Sequence, residues 1–303
     1  MTLGLVVLNY NDYDNTAALI ELLHGYQEID HLLIVDNGST DDSADRIEKL
    51  CGGKVELFRC GENRGYAAGN NAGIRYLMEK YHPALIGISN PDIVFSEDFI
   101  RKLKKDFEIY PRYSVLTGLQ HALDGKIPAF AFWPKLTYRR CIRKMAREIL
   151  IERRIVKEDY GYIDYVMGKP GNVHKVDVVG GCLFLIRAED FLEVGGFDEH
   201  TFLYYEEEIL FQKLRRTGKI AGVDTSLDFV HQFGGSSKKI IRRADMFRIS
   251  AKSLKYYADT YLNDTVMKKA LFNFVYVFYR IEWELYFALK ELYFVLKKLK
   301  GSH

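Results

Sequence analysis

Cysteine is scarce and scattered: Cys51, Cys60, Cys141 and Cys182 are the four in 303 residues, and no CxxC pair occurs among them. Such spacing suits neither a zinc site nor a disulfide framework and leaves a reducing cytoplasm as the simplest compartment. An excess of one charge is missing too. The 43 Lys and Arg nearly balance 41 Asp and Glu, and the formal net charge of +2 argues against a dedicated nucleic-acid binder. No GxGxxG stands between the first apolar run and the helix after it, so the glycine cradle of a dinucleotide-binding Rossmann domain is absent. Nor is there an early glycine-rich loop with Arg and Lys, as a pyrophosphate-releasing nucleotidyltransferase needs. No uncharged apolar run approaches the length that spans a bilayer, and the first residues carry no basic leader. The expectation is a soluble or peripheral chain. Gly301-Ser302-His303 reads as the remnant of an expression tag.

What is present is an alternation of short apolar runs and helices. Leu3 to Leu8 predicts a strand ending at Asn9-Tyr10-Asn11-Asp12, with a helix from about Asn15 to Tyr26. His31 to Val35 predicts a second strand, broken by Asp36-Asn37-Gly38-Ser39-Thr40-Asp41-Asp42. A third, Val55 to Arg59, leads into Asn63-Arg64-Gly65 and a helix to about Lys80, with small residues crowding Gly65 to Gly73. The apolar run from Ala84 stops at Ser89-Asn90-Pro91-Asp92, because Pro91 cannot donate to a ladder and the strand must end by Asn90. This β-α repeat predicts a largely parallel sheet with helices on both faces and polar loops along one edge. Ligands of open α/β sheets bind at the carboxyl ends of the strands, where Asp92 is well placed to hold a divalent cation. A capped turn before Ser96-Glu97-Asp98 explains the same tetrapeptide.

The second half is looser. Residues 113 to 119 predict a strand, and Arg139, Arg140, Arg143, Lys144, Arg147, Arg153, Arg154 and Lys157 mark a basic amphipathic helix fit either for solvent or for an anionic surface. Val176 to Arg187 predicts a long apolar strand carrying Gly180-Gly181, followed by a short helix, Ala188 to Val194, and a turn, Gly195 to Glu199. Glu206-Glu207-Glu208 opens a helix whose dipole favours acids there. A strand then delivers His231 into the glycine-rich turn Gly234-Gly235-Ser236.

Taken in order, Asn9-Tyr10-Asn11, Val35 to Asp41, Asn63 to Asn71, Asn90-Pro91-Asp92, Gly180 to Asp198, Tyr205-Glu206-Glu207 and His231 resemble the second glycosyltransferase family, inverting nucleotide-sugar transferases of the GT-A fold, in its rhamnosyltransferase-like branch. The resemblance runs from Leu3 to about Ser237. It implies an α/β fold with a Rossmann-like, mostly parallel sheet: a catalytic domain over 1–240, split into a nucleotide-binding half, 1–119, and an acceptor-binding half, 120–240. Residues 241–300 would be a C-terminal helical extension. The resemblance further implies nucleotide contacts at Asn9, Tyr10, Asp36, Asn37, Arg64, Gly65 and Asn70, and an acceptor side at Gly181 and Asp198. The family's metal motif is usually Asp-x-Asp; here it is Asn90-Pro91-Asp92, so Mg2+ or Mn2+ would rest on Asp92, the donor's phosphates and His231. The family's base is the second acid of a Glu-Asp pair opening a helix. The aligned pair is Glu206-Glu207, longer by one methylene, which assigns the base to Glu207 with Glu206 as the alternative. The implied reaction is transfer of a sugar, L-rhamnose from dTDP-rhamnose first, to a hydroxyl of a growing bacterial surface glycan or lipid-linked acceptor. A UDP-hexose donor, nucleotidyl transfer and a non-catalytic membrane scaffold are the alternatives.

The tail, Thr265 to Lys300, lies beyond that resemblance. Leu271, Phe278, Leu285, Leu292 and Leu299 recur every seven residues beside Val275, Leu289 and Leu296, flanked by Tyr276, Tyr279, Trp283, Tyr286 and Tyr293, with Lys290, Lys297, Lys298 and Lys300 at the far end. This stripe predicts a helix that packs on the catalytic domain or pairs in a homodimer, or else lies in an anionic membrane interface at the cytoplasmic face.

Overall fold

The computed structural model describes residues 1–157, 159–232 and 242–300; the turn Gly234-Gly235-Ser236 and residues 301–303 lie outside them. The first four predicted strands form where the apolar runs stand: β1 Leu3–Asn9, β2 His31–Asp36, β3 Val55–Arg59 and β4 Leu85–Ser89. All pair in parallel, β1 between β2 and β4, with β3 outside β2. Both faces of this sheet are covered, so β1, β2 and β4 are near-continuous apolar runs up to their polar ends, while the outer strand β3 carries Glu56 and Arg59. Val6, Leu33 and Val35 join one core cluster, while Leu5, Val7, Leu32 and Ile34 join the other. The crossovers are α1 Tyr13–His24, α2 Ser43–Glu48 and α3 Tyr66–Lys80. α3 comes close enough to the sheet that a Cβ on Gly73 would meet Val35 Cγ2 at 2.4 Å, which accounts for part of the small-residue crowding.

β4 ends at Ser89, one residue before the Asn-Pro turn, and Ile93–Val94 then forms a short strand, β5. Helix α4, Glu97–Ile109, begins at Ser96, whose Oγ accepts from Phe99 N at 3.2 Å, so the capped-turn reading of that segment also holds. β6 is Tyr113–His121, followed by a two-residue strand, β7, at Phe132–Trp133. α5 spans Tyr138–Glu152 and α6 Gly161–Met167.

The predicted single strand from Val176 to Arg187 is instead three: β8 Val173–Val176, β9 Val178–Val179 and β10 Leu183–Arg187. β10 runs antiparallel between β4 and β6. The chain breaks at Gly180-Gly181-Cys182 because that turn receives a side chain from α8. After α7, Ala188–Glu193, helix α8 runs from Glu206 to Arg216, and β11, Ile220–His231, pairs parallel with β6 and antiparallel with β5. The order β3-β2-β1-β4-β10-β6-β11-β5 brings the ends of β1, β2, β4 and β11 to the polar loops.

Two compact units result: Met1–Lys135 with Tyr160–Ile240, and Leu136–Asp159 with Ile241–His303. The expected division at 240 differs in one respect, since 136–159 belongs with the C-terminal helices. The reason is the buried face of α5, Tyr138, Cys141, Met145 and Ile149, which packs in that second unit. Its other helices are α9, Arg243–Tyr261, and α10, Val266–Lys300. Tyr138 donates to Ala258 O at 2.9 Å and Tyr279 to Glu148 Oε2 at 2.8 Å. Phe247 stacks on Trp283 with centroids 5.0 Å apart. The aromatic flank of α10 therefore forms the internal contact, and the heptad stripe does not: Leu271, Phe278, Leu285 and Leu292 are exposed. The side chains of 294–296 and 298–300, which include Leu296, Lys298, Leu299 and Lys300, lie outside the described residues.

One buried acid makes the first unit sensitive to pH. Asp106 on α4 is 9% exposed, and burial first, then the neighbouring Asp224 carboxylate, push its pKa from 3.8 to about 7. A carboxyl with a raised folded-state pKa contributes stability that is complete below about pH 4 and lost as pH rises through about 7. Asp106→Asn should therefore raise stability above pH 7, by roughly 1–3 kcal/mol, and flatten the decline between pH 4 and 7. Denaturant midpoints across that range test this; an unchanged slope in the variant would assign the pH dependence to another group.

Candidate functional site

The parallel ends of β1 and β2 are joined by side chains before any ligand is considered. Asn9, fully buried, donates from Nδ2 to Asp36 Oδ1 at 2.9 Å and to Ser39 Oγ at 3.1 Å, while its Oδ1 accepts from Thr16 Oγ1 at 2.9 Å. Its hydrogen-bonding capacity is thus turned inward, to hold Asp36. Asp36 also accepts from Ser39 Oγ at 2.5 Å and Ser39 N at 3.1 Å, so this turn stores negative charge under a lid of donors. Asn11, in the left-handed region at φ 52°, accepts from Thr40 N at 2.7 Å and ties the two loops together. Tyr10, beside it, is half-buried at the strand end.

Asn37 fastens the next turn. Its Nδ2 donates to Asn63 Oδ1 at 3.0 Å and Gly65 O at 3.1 Å, and its Oδ1 has no partner among the described residues. Gly65 has φ 98°, and a Cβ there would lie 2.3 Å from Phe202 O, so only glycine lets the turn meet the loop before α8. Tyr66 N donates to that carbonyl at 2.9 Å. Arg64 is exposed and reaches Glu199 at 3.4 Å. Asn70, expected on the nucleotide side, is fully buried in α3, donates to Tyr66 O at 2.9 Å, and has no hydrogen-bond partner for its Oδ1 among the described residues.

At the end of β4, Asp92 and His231 meet. His231 Nε2 lies 3.1 Å from Asp92 Oδ1, with the carboxylate residue 6% exposed. The pairing of Ile93 with His231 across β5 and β11, and the Gln232 N to Asp92 O bond of 2.9 Å, fix both backbones. Behind the imidazole, Gln120 Nε2 sits 3.0 Å from Nδ1, and Gln120 Oε1 accepts from Cys182 Sγ at 3.4 Å. With the amide donating to Nδ1, the ring proton sits on Nε2 and points at Asp92. The Asp92 carboxylate fits a hard divalent cation that keeps most of its shell for phosphate oxygens and water, and the imidazole would join it only once Nε2 gives up its proton and turns a lone pair to the ion. No third His, Cys, Asp or Glu completes a protein-only metal cage among the described residues.

The acid pair opens α8 after two consecutive left-handed residues, Tyr204 at φ 71° and Tyr205 at φ 73°. Its members have different environments. Glu206 is 2% exposed, its Oε1 has no partner among the described residues, and burial first, then the charge of Glu207, hold its carboxyl well above the usual range. Glu207 is less buried and accepts from Gly181 N at 3.1 Å. A Cβ on Gly181 would stand 2.3 Å from Glu207 Oε1, so the glycine that breaks the predicted strand makes room for this carboxylate. Tyr66 Oη donates to Gly181 O at 2.7 Å, and Asn90 N to Cys182 O at 2.8 Å. Burial first, then the charges of Glu207 and Asp92, push the Cys182 thiol up. Asp198 instead accepts from His200 N at 3.0 Å and Nδ1 at 2.7 Å, forming its own turn.

Three participants were not singled out from the sequence. Gln120 is a buried amide near the end of β6, a strand that also buries Ser114 and Thr117. Tyr66 and Glu199, which gathers Asn71, Arg64 and Arg75, become visible only through tertiary contacts.

Residues 5–152 match the family model for glycosyl transferase family 2. The chain is 24% identical over 230 residues to the low-salt glycan biosynthesis hexosyltransferase Agl10 of Haloferax volcanii, covering 76% of this chain and 66% of that one. It is 26% identical over 224 residues to the N-acetylglucosaminyl-diphospho-decaprenol L-rhamnosyltransferase of Mycobacterium tuberculosis, covering 66% of each. The chain thus spans about two thirds of the length of these relatives. In fold it is similar to the mannosyltransferase PcManGT of Pyrobaculum calidifontis in complex with GDP-Man and Mn2+, with a TM-score of 0.60 at 12% identity over 96% of this chain and 75% of that one. Together with a mostly parallel sheet whose polar loops gather Asp36, Asp92 and Glu207, these likenesses assign residues 5–152 to glycosyl transferase family 2, on a GT-A fold.

Proposed function

We propose that the chain is an inverting transferase that moves L-rhamnose from a nucleoside diphosphate to a hydroxyl of a lipid-linked or surface glycan. The observation that carries this reading is the split of the acid pair: Glu206 is 2% exposed, with its carboxyl held above the usual range by burial, beside a less buried Glu207 oriented by Gly181 N, at a turn whose Cys182 O accepts from Asn90 N of the Asn90-Pro91-Asp92 corner. A base in this position with a separate phosphate-side acid suits a single displacement, whereas a glycosidase needs two carboxyl groups flanking the scissile bond, which the neighbours Glu206 and Glu207 do not supply.

In this reading Tyr10, Asp36 and Asn37 hold the nucleoside, with Arg64 and the Gly65 turn on the diphosphate side. Asn9 and Asn70 act as positioning residues, Asn9 through its bonds to Asp36 and Ser39 and Asn70 through its bond to Tyr66 O. Asp92 and His231 would hold Mg2+ or Mn2+, which supplies positive charge to the departing diphosphate. Glu207 takes the proton of the acceptor hydroxyl, whose oxygen bonds to the anomeric carbon from the face opposite the nucleotide. The bond from that carbon to the diphosphate breaks, and its electron pair leaves with the diphosphate. Gly181 carries the base on the acceptor side. The mycobacterial relative's name specifies a lipid diphosphate acceptor, which supports a lipid-linked acceptor here, reached from a membrane surface. No described helix is long and apolar enough to cross a membrane.

Titrating dTDP-rhamnose, UDP-hexoses and GDP-mannose with and without Mn2+ tests this assignment. Tightest binding is expected for dTDP-rhamnose, weakened roughly tenfold or more by excess chelator. Preference for a UDP-hexose would replace the donor, and binding unchanged by chelator would remove the cation.

A further inference from the structure

Helix α10 has two apolar faces, and the second unit uses only one. Phe272, Tyr279, Trp283 and Phe287 are buried, whereas on the opposite side Leu271, Phe274, Phe278, Ile281, Leu285 and Leu292 are each more than half exposed. The exposed set advances by 3, 4, 3 and 4 residues to Leu285, then by seven to Leu292, with exposed Ala288 at the missing step. That is a 3.5-residue repeat, the period of a seam between two helices, whereas an interfacial stripe needs only the helical 3.6. Met267 continues it one step earlier. At about 1.5 Å per residue, the stretch from Val266 to Tyr293 is roughly 40 Å long.

We propose that this seam is a docking surface for a second copy of the chain, paired through α10. The exposed apolar side chains offer on the order of 1,000 Å2 per helix, against about 800 Å2 per partner in a standard stable interface. Monomers rarely leave a contiguous apolar patch of that size in water. The residue types favour a protein partner over lipid. Trp283 and Tyr279, which would anchor a helix at a bilayer surface, are spent in the internal packing, and the exposed Glu282 sits beside the seam. In an in-register parallel pair, Glu284 faces Leu289 of the other helix and Glu282 faces its Val277, so no like charges oppose one another there.

Size-exclusion chromatography with light scattering on the full chain is the test, since one copy weighs 35.1 kDa. A mass near twice that value is expected at micromolar concentration, and Phe278→Lys with Leu285→Lys should return a monomer, its dimer dissociation constant raised at least a hundredfold. Both positions are outside the core, so helix content by circular dichroism should not change. A wild-type monomer at 50-fold higher concentration would overturn the proposal, as would a dimer that survives the double substitution. Flotation with phosphatidylglycerol vesicles separates the other occupant: a monomer that floats, and stops floating with the two lysines, would assign the seam to lipid.

Discussion

Replacing Glu207 by glutamine is expected to lower sugar transfer roughly 10²- to 10⁴-fold, the usual contribution of a positioned general base, while leaving fold and donor binding in place. Glutamine keeps the length of the side chain and an oxygen to accept from Gly181 N, so the turn at Gly181 should persist. What it loses is the capacity to take a proton. Glu206→Gln should behave differently, because burial holds that carboxyl above its usual range and disfavours its charged form, so its amide should leave transfer within about tenfold. Near-normal turnover in Glu207→Gln combined with a collapse in Glu206→Gln would move the base one residue back. Thermal unfolding of both variants separates lost chemistry from lost structure.

The second large effect is expected at Asp92. Asp92→Asn removes the charge but leaves an oxygen for His231 Nε2–H, and the backbone bond from Gln232 N and the β5–β11 pairing do not involve the side chain. The fold should survive. If the cation contributes several kcal/mol at the leaving group, transfer should fall by roughly 10²- to 10³-fold, and donor affinity should stop responding to Mn2+. Donor binding that still tightens with Mn2+ in the variant would place the cation elsewhere.

Much of this arrangement was legible because the sheet is parallel and buried on both faces. Its strands announce themselves as unbroken apolar runs, and the polar residues that interrupt them, Asn9, Asp36 and Asn90, mark the edge where ligands gather. The segment around Gly181 was not legible. An apolar run with two glycines in it reads as one strand, and only the carboxylate of Glu207, 26 residues later, reveals why the chain must bend there. Nor does the sequence tell which side a loop asparagine faces: Asn9 is buried and braces Asp36, and a residue of that kind has the same letter as one that meets a nucleotide. On α10 the heptad was legible but its partner was not, since two apolar faces compete and the broader aromatic one took the internal contact.

The most direct measurement is the identity of the product released from the donor. Incubated with dTDP-rhamnose, Mn2+ and a glycan acceptor, the chain should release dTDP in step with glycoside of inverted anomeric configuration, and Glu207→Gln should release neither. Release of pyrophosphate, or a glycoside that retains the donor's configuration, would contradict a single displacement assisted by Glu207.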